Sequence, residues 1–170
     1  DVAKDVTDKM IRRHPHVFGD KLAKTADDVW VHWEEAKKKE NPDSSVMDNV
    51  PKLPALIQAS KIQKKAARVG FDWPDKQGPI DKLKEEVAEL VEAVKDPDHR
   101  EEEIGDVLFS LVNICRHFKL NAEDVLRQTN RKFVKRFKLM ESLFEGRELQ
   151  SISLQEMEAK WQEAKQLLKQ

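Results

Sequence analysis

Apolar residues recur at every third or fourth position through most of the chain, the spacing of one helical face. Leu56, Ala59, Ile62, Ala66 and Val69 mark such a face over residues 53–69, and Ile80, Leu83, Val87, Leu90 and Val94 repeat it over 80–95. Further helices are predicted at 100–118, 122–144 and 154–168. Asp96 and Asp98 are candidate caps for the first of these and Asn121 for the second. Breaks fall at the Pro- and Ser-containing stretch 41–52, at Gly70-Phe-Asp-Trp-Pro with Gly78-Pro79, at Asp96-Pro97-Asp98 and at Gly146. The pattern predicts an all-α fold, a bundle of four to five helices.

Composition sharpens this. The chain is rich in Ala, Glu, Lys, Leu and Arg, and five Gly with no Tyr argue against an all-β reading. Lys+Arg 31 against Asp+Glu 32 leaves a net charge of −1, so no basic field draws it to nucleic acid or an anionic membrane. The stretch around 107–115 is too short and too interrupted to span a bilayer. Cys115 is the single cysteine, which excludes an internal disulfide and fits a cytoplasmic location. There is no initiator Met, signal-like start or lipidation motif, and a first residue in mid-helix points to a trimmed chain.

The two ends echo each other. Asp8-Lys-Met-Ile-Arg-Arg13 followed by Trp33-Glu-Glu-Ala-Lys37 parallels Arg131-Lys-Phe-Val-Lys-Arg136 followed by Trp161-Gln-Glu-Ala-Lys165. Lys9, Arg13 and Trp33 thus correspond to Lys132, Arg136 and Trp161. Duplication explains the matching tails better than chance likeness of two basic helices. The predicted division is a repeat tail at 1–40, a linker at 41–52 and a complete domain at 53–170.

The chemistry concentrates in Lys82-Leu-Lys-Glu85-Glu86-Val-Ala-Glu89 and Glu103-Ile-Gly-Asp106. Glu86 and Glu89 share a helix face, as do Glu103 and Asp106 on the next helix. A short turn at Asp96 makes these helices antiparallel neighbours, so four carboxylates meet in one gap and need a cation or protons. On the second helix Ile104, Val107, Leu108, Leu111, Val112, Ile114, Cys115 and Phe118 form a broad apolar arc, which predicts burial. Its polar stripe is Glu103, Asp106, Ser110, Asn113 and His117. A solvated acidic face accounts for Glu101 and Glu102 but not for carboxylates interrupting a buried helix. Oxygen-only ligands suit Mg²⁺. Lys132 and Arg136, at i and i+4, form a cationic ridge that suits a phosphate chain, although an exposed solubilising face looks the same. Lys82 adds a further positive group near Glu86. Cys115 and His117 read as structural.

These elements in order, with Lys61-Ile-Gln-Lys64, Val69-Gly-Phe-Asp-Trp73 and Asn130-Arg-Lys-Phe-Val-Lys-Arg-Phe137, resemble the MazG branch of the all-α nucleoside triphosphate pyrophosphohydrolases. The resemblance implies hydrolysis of NTPs and dNTPs to monophosphate and pyrophosphate, in a homodimer. It implies Mg²⁺ at Glu86, Glu89, Glu103 and Asp106. It implies nucleotide contacts at Lys82, Glu85, Glu86, Asp106, Lys132, Phe133, Arg136 and Trp161, with Lys132 and Arg136 stabilising the leaving group. Glu85 is a candidate base, alongside any other unliganded carboxylate. Lys9, Arg13 and Trp33 inherit no such role, since their repeat lacks its carboxylate half. The rival is a non-catalytic helical dimerisation module. A ferritin-like di-metal protein is disfavoured because no His stands three after Glu86 or Glu103.

Overall fold

The computed structural model describes residues 1–48 and 50–169, with the backbone alone at 26, 27 and 30. Asn49, in the predicted linker, and Gln170, the last residue of the predicted domain, lie outside the described residues. The chain divides into two units, Asp1–Asn49 and Val50–Gln170. The first holds α1 (Val2–Arg13), α2 (Pro15–Phe18) and α3 (Ala26–Glu40). The second holds α4 (Ala55–Arg68), α5 (Gln77–Ala93), α6 (Pro97–His117), α7 (Ala122–Ser142) and α8 (Leu154–Leu167). Among the described residues all regular structure is helical, and the expected all-α class is the observed one.

Local chemistry explains the boundaries. Asp96 caps α6 by accepting from the Asp98 amide at 3.1 Å, and Asn121 caps α7 through the Glu123 amide at 3.0 Å. Arg100 reaches back to the Val94 carbonyl at 2.6 Å and satisfies an acceptor at the end of α5. Asp1 caps α1 through the Ala3 amide, so it precedes a helix and does not lie within one.

Gly78 and Pro79, expected in a loop, lie in the first turn of α5. Proline is tolerated there because a first-turn amide has no acceptor within the helix. A Cβ on Gly78 would come within 2.0 Å of the Trp73 ring, so the glycine lets that ring lie against α5.

Within the second unit α5 and α6 pack most extensively, α4 lies on α6 and α7, and α8 returns along α7. Met140, Phe144, Ile152 and Ala164 form a buried cluster between α7 and α8, with Phe137 and Trp161 against it. A second anchor lies in the loop after α4. Gly70, at φ +90°, turns the chain so that the Phe71 amide reaches the Ala66 carbonyl at 3.1 Å. Asp72 then meets both terminal nitrogens of Arg116, at 2.8 and 2.5 Å, and His117 Nε2 at 3.0 Å. Arg116 also binds buried Asn113 through Nε at 2.9 Å. The Arg116 guanidinium lowers the Asp72 carboxyl from 3.8 to about 2.

The expectation of a buried α6 fails in part. Val112 is buried, yet Ile104, Leu108, Leu111 and Phe118 are 44–50% exposed. What the chain covers on α6 includes part of the polar stripe, with Ser110 at 8% and Asn113 at 6%, while Asp106 at its other end stays exposed. Neighbouring helices are too few to cover both sides of so apolar a helix.

Phe144→Ala should destabilise the chain by about 3–5 kcal/mol, read from chemical denaturation, because a ring 5% exposed leaves a cavity. The Asp72 clamp predicts a pH dependence. Its folded pKa lies below the unfolded one, so its stabilisation is present above 3.8 and is lost as pH falls through about 2. Asp72→Asn should therefore lower stability near neutral pH and lose less of it than the unsubstituted chain between pH 4 and pH 2. Equal acid slopes would contradict this account.

Candidate functional site

The antiparallel pairing of α5 and α6 brings three of the four predicted carboxylates together. One carboxylate oxygen from each of Glu86, Glu103 and Asp106 lies within 4.8 Å of the others. Glu86 is buried at 5% exposure, Glu103 is half-buried and Asp106 is exposed, so the group opens from the helix interface to solvent. Glu89 lies at its exposed edge, outside the three-residue group. Partial loss of water, then the neighbouring Glu86 carboxylate, raise the Glu89 carboxyl above its ordinary 4.5.

Positive charge near the group is limited. Lys82 Nζ lies 2.7 Å from both Glu85 and Glu86, and these hydrogen bonds hold it above the ordinary ammonium range. One ammonium shared in this way leaves Glu103 and Asp106 without an ion-pair partner among the described residues. Two carboxylate charges at about 4.8 Å repel by roughly 3 kcal/mol at an effective dielectric near 20. Three oxygen donors of this kind, one of them buried, fit a hard divalent cation. Glu85 itself is exposed and points to Lys82, not into the group.

A second cluster gathers the predicted nucleotide-contact residues of α7 and α8. Arg136 places its guanidinium 4.8 Å from the Trp161 ring centre. Phe133 tilts against Trp161 at 5.0 Å and stacks with Phe137 at 6.0 Å. Arg136 Nε is buried and has no hydrogen-bond partner among the described residues. A buried donor without an acceptor is costly and suits an anion. Lys132, one turn earlier on α7, is exposed. Trp161 is half-buried and serves the α7–α8 core as well as presenting a ring face.

Other residues of consequence carried no role in the sequence reading. Gln63 is 6% exposed, and its Nε2 donates to the Phe109 carbonyl at 2.8 Å, tying α4 to the helix that bears Glu103 and Asp106. Asp72 and Arg116 tie the start of α5 to the end of α6. A glutamine between Ile62 and Ala66 on an apolar face was the available signal for the first. A lone acid in a Gly-Phe-Asp-Trp loop was the signal for the second.

Comparison with known proteins follows the same segment. Residues 76–140, which include Glu86, Glu103, Asp106, Lys132 and Arg136, match the MazG nucleotide pyrophosphohydrolase domain. The nucleoside triphosphate pyrophosphohydrolase/pyrophosphatase MazG of Thermotoga maritima is 43% identical over 170 residues, covering 97% of this chain and 65% of that protein. A nucleoside triphosphate pyrophosphohydrolase of Escherichia coli K12 is 41% identical over 175 aligned residues, covering 97% and 66%. The uncharacterized protein YabN of Bacillus subtilis is 45% identical over 174, covering 98% of this chain and 36% of its own length. The chain therefore spans 65–66% of the length of the first two relatives. With the domain match centred on the acidic helices and similarity to these relatives running along nearly all of its length, this chain carries a MazG nucleotide pyrophosphohydrolase domain.

Proposed function

We propose that the chain hydrolyses nucleoside triphosphates, both NTPs and dNTPs, between the α and β phosphates. Water adds across that anhydride and yields a nucleoside monophosphate and pyrophosphate. The observation that carries this reading is the convergence of Glu86, Glu103 and Asp106 within 4.8 Å. The domain match and the two relatives, both nucleoside triphosphate pyrophosphohydrolases by name, support the same chemistry.

Glu86, Glu103 and Asp106 would hold Mg²⁺, with Glu89 at the edge as a fourth ligand. When bound, the metal supplies charge neutralisation for phosphate oxygens and lowers the pKa of bound water. The chain's own residues do the rest. Arg136 and Lys132 bind the phosphate chain and stabilise the negative charge of departing pyrophosphate. Trp161 and Phe133 offer aromatic surface to the nucleotide. Lys82 holds Glu85 and Glu86 in place, and Glu85, released from Lys82, or another unliganded carboxylate would accept the water's proton. No covalent nucleophile enters the scheme, and Cys115 is half-buried on the helix side away from the acidic stripe.

The exposed apolar arc of α6 supports a homodimer. Val87 and Val91 on α5 and Ile104, Leu108 and Leu111 on α6 are 44–67% exposed. Large apolar side chains left exposed on two helices packed side by side are characteristic of a subunit interface. Residues 1–40 are read as the tail of a first repeat, 41–52 as a linker and 53–170 as the complete repeat. Among the described residues no helix is long and apolar enough to cross a membrane, and the composition supports a cytoplasmic enzyme that does not engage nucleic acid.

Two measurements test this. With Mg²⁺ and a triphosphate, the products should be monophosphate and pyrophosphate, and Glu103→Gln should lower turnover on the order of a hundredfold or more. Release of orthophosphate and diphosphate would move the cleavage to another bond, and no turnover at all would favour the helical interaction module. In sedimentation velocity the chain should run as a dimer and Leu108→Glu should shift it toward monomer. A monomeric unsubstituted chain would remove the dimer from the proposal.

A further inference from the structure

The α1–α3 and α7–α8 pairs share more than a sequence echo; they share a register. Thr25 opens α3 and Ser153 opens α8, each with a capping box closed three residues later by Asp28 or Glu156. Trp33 and Trp161 stand at the same distance from their caps. Each carries an arginine over its ring, Arg13 at 5.6 Å and Arg136 at 4.8 Å. Lys37 and Lys165 occupy matching positions one turn beyond, and Lys37 Nζ lies 4.5 Å from the Trp33 ring.

The two boxes differ in what the guanidinium binds. Arg13 donates to the Glu40 carboxylate through Nε at 3.1 Å and through a terminal nitrogen. Arg12 Nε joins the same carboxylate at 3.4 Å. The Arg13 side chain is 17% exposed and that of Glu40 29%, so the pair is partly shielded from solvent screening. No ion pair is formed by Arg136 among the described residues, and its Nε is the buried donor without a partner. In the common register the position of Glu40 falls on Leu168, which closes α8 and carries no charge.

We propose that Arg13 and Trp33 form a second oligophosphate-binding box, kept closed by the Glu40 carboxylate in the place a phosphate would take. The inference rests on reading Arg136 and Trp161 as the phosphate-holding box. A carboxylate and a phosphate present the same kind of paired oxygens to a guanidinium, so either satisfies it. A carboxylate on the neighbouring helix acts at a high effective concentration that free phosphate must overcome. One position, Glu in one copy and Leu in the other, thus decides which arginine captures a ligand. The residues of the first copy retained the aromatic and cationic parts of a site and acquired an internal anion.

The test uses the full chain labelled at the indole nitrogens, with tripolyphosphate and no divalent metal as the probe. Replacing each of the four tryptophans by Phe assigns the indole signals. In the unsubstituted chain tripolyphosphate should shift Trp161 and leave Trp33 in place. Glu40→Leu and the isosteric Glu40→Gln should each let Trp33 shift saturably, with affinity there raised on the order of tenfold or more. Leu168→Glu should weaken the Trp161 response by a similar factor. A Trp33 shift in the unsubstituted chain at the concentration that shifts Trp161 would overturn the proposal, as would an unmoved Trp33 in both Glu40 variants. Should Glu40→Leu loosen α3, the isosteric variant decides. A silent Trp161 in the unsubstituted chain would instead count against the proposed phosphate-holding role of Arg136, while Trp33 in the Glu40 variants still reports on the closed box.

Discussion

Mutual repulsion among the carboxylates of Glu86, Glu103 and Asp106 is the constraint around which the second unit is organised. Their oxygens lie within 4.8 Å although like charges at that separation oppose the packing of the two helices that bear them. The extensive packing of α5 against α6 holds them there, and the connecting turn is short and satisfied by its own caps and by Arg100. Lys82 relieves the most buried member alone. An arrangement with this much uncompensated negative charge, graded from buried Glu86 to exposed Asp106, is chemically an unfinished site. A divalent cation would complete it, as the proposed hydrolysis requires.

The rest of the unit supports that pair of helices. Asp72, held by Arg116 and His117, fixes the loop that leads into α5, and Gly78 lets Trp73 lie against the first turn. Gln63 ties α4 to the Phe109 carbonyl, between the acidic half of α6 and buried Asn113. These polar contacts sit on the face of α6 that the chain itself buries. The apolar face is left outward, and its exposure is the physical motive for proposing a second subunit. A helix with apolar residues on most of its circumference needs more neighbours than α4, α5 and α7 supply.

The two Arg–Trp boxes show how one local design serves two ends. Both rest on a helix opened by a capping box, with a tryptophan at the same offset and an arginine from the preceding helix over its ring. In the first unit Glu40 satisfies the arginine, giving a self-contained clamp between α1 and α3. In the second unit the arginine keeps a buried donor that is unpaired among the described residues. The cost of leaving that donor unmet is tolerable where a ligand is expected to meet it, as at many functional sites.

Periodicity and caps made the helices legible, because the three-four spacing of apolar residues and the Asp96 and Asn121 caps are local properties of the chain. The acidic spacing on two successive helices was legible for the same reason: residues three apart on a helix share a face whatever surrounds them. The echo between the two ends could be read from Trp-x-Glu-Ala-Lys, but the opposite surroundings of Arg13 and Arg136 could not. They depend on which side chain reaches across from the neighbouring helix. Burial also escaped the one-dimensional pattern. An apolar arc predicts that a face seeks cover, whereas only the packing of α4, α5 and α6 decided that Ser110 and Asn113 of the polar stripe would be enclosed. The sequence by itself determined the helices, their caps and the faces bearing charge, since those follow from backbone geometry within a few residues. Tertiary structure alone decided which charges meet, which donor stays unpaired and which apolar surface is left open, since those depend on distances between segments remote along the chain.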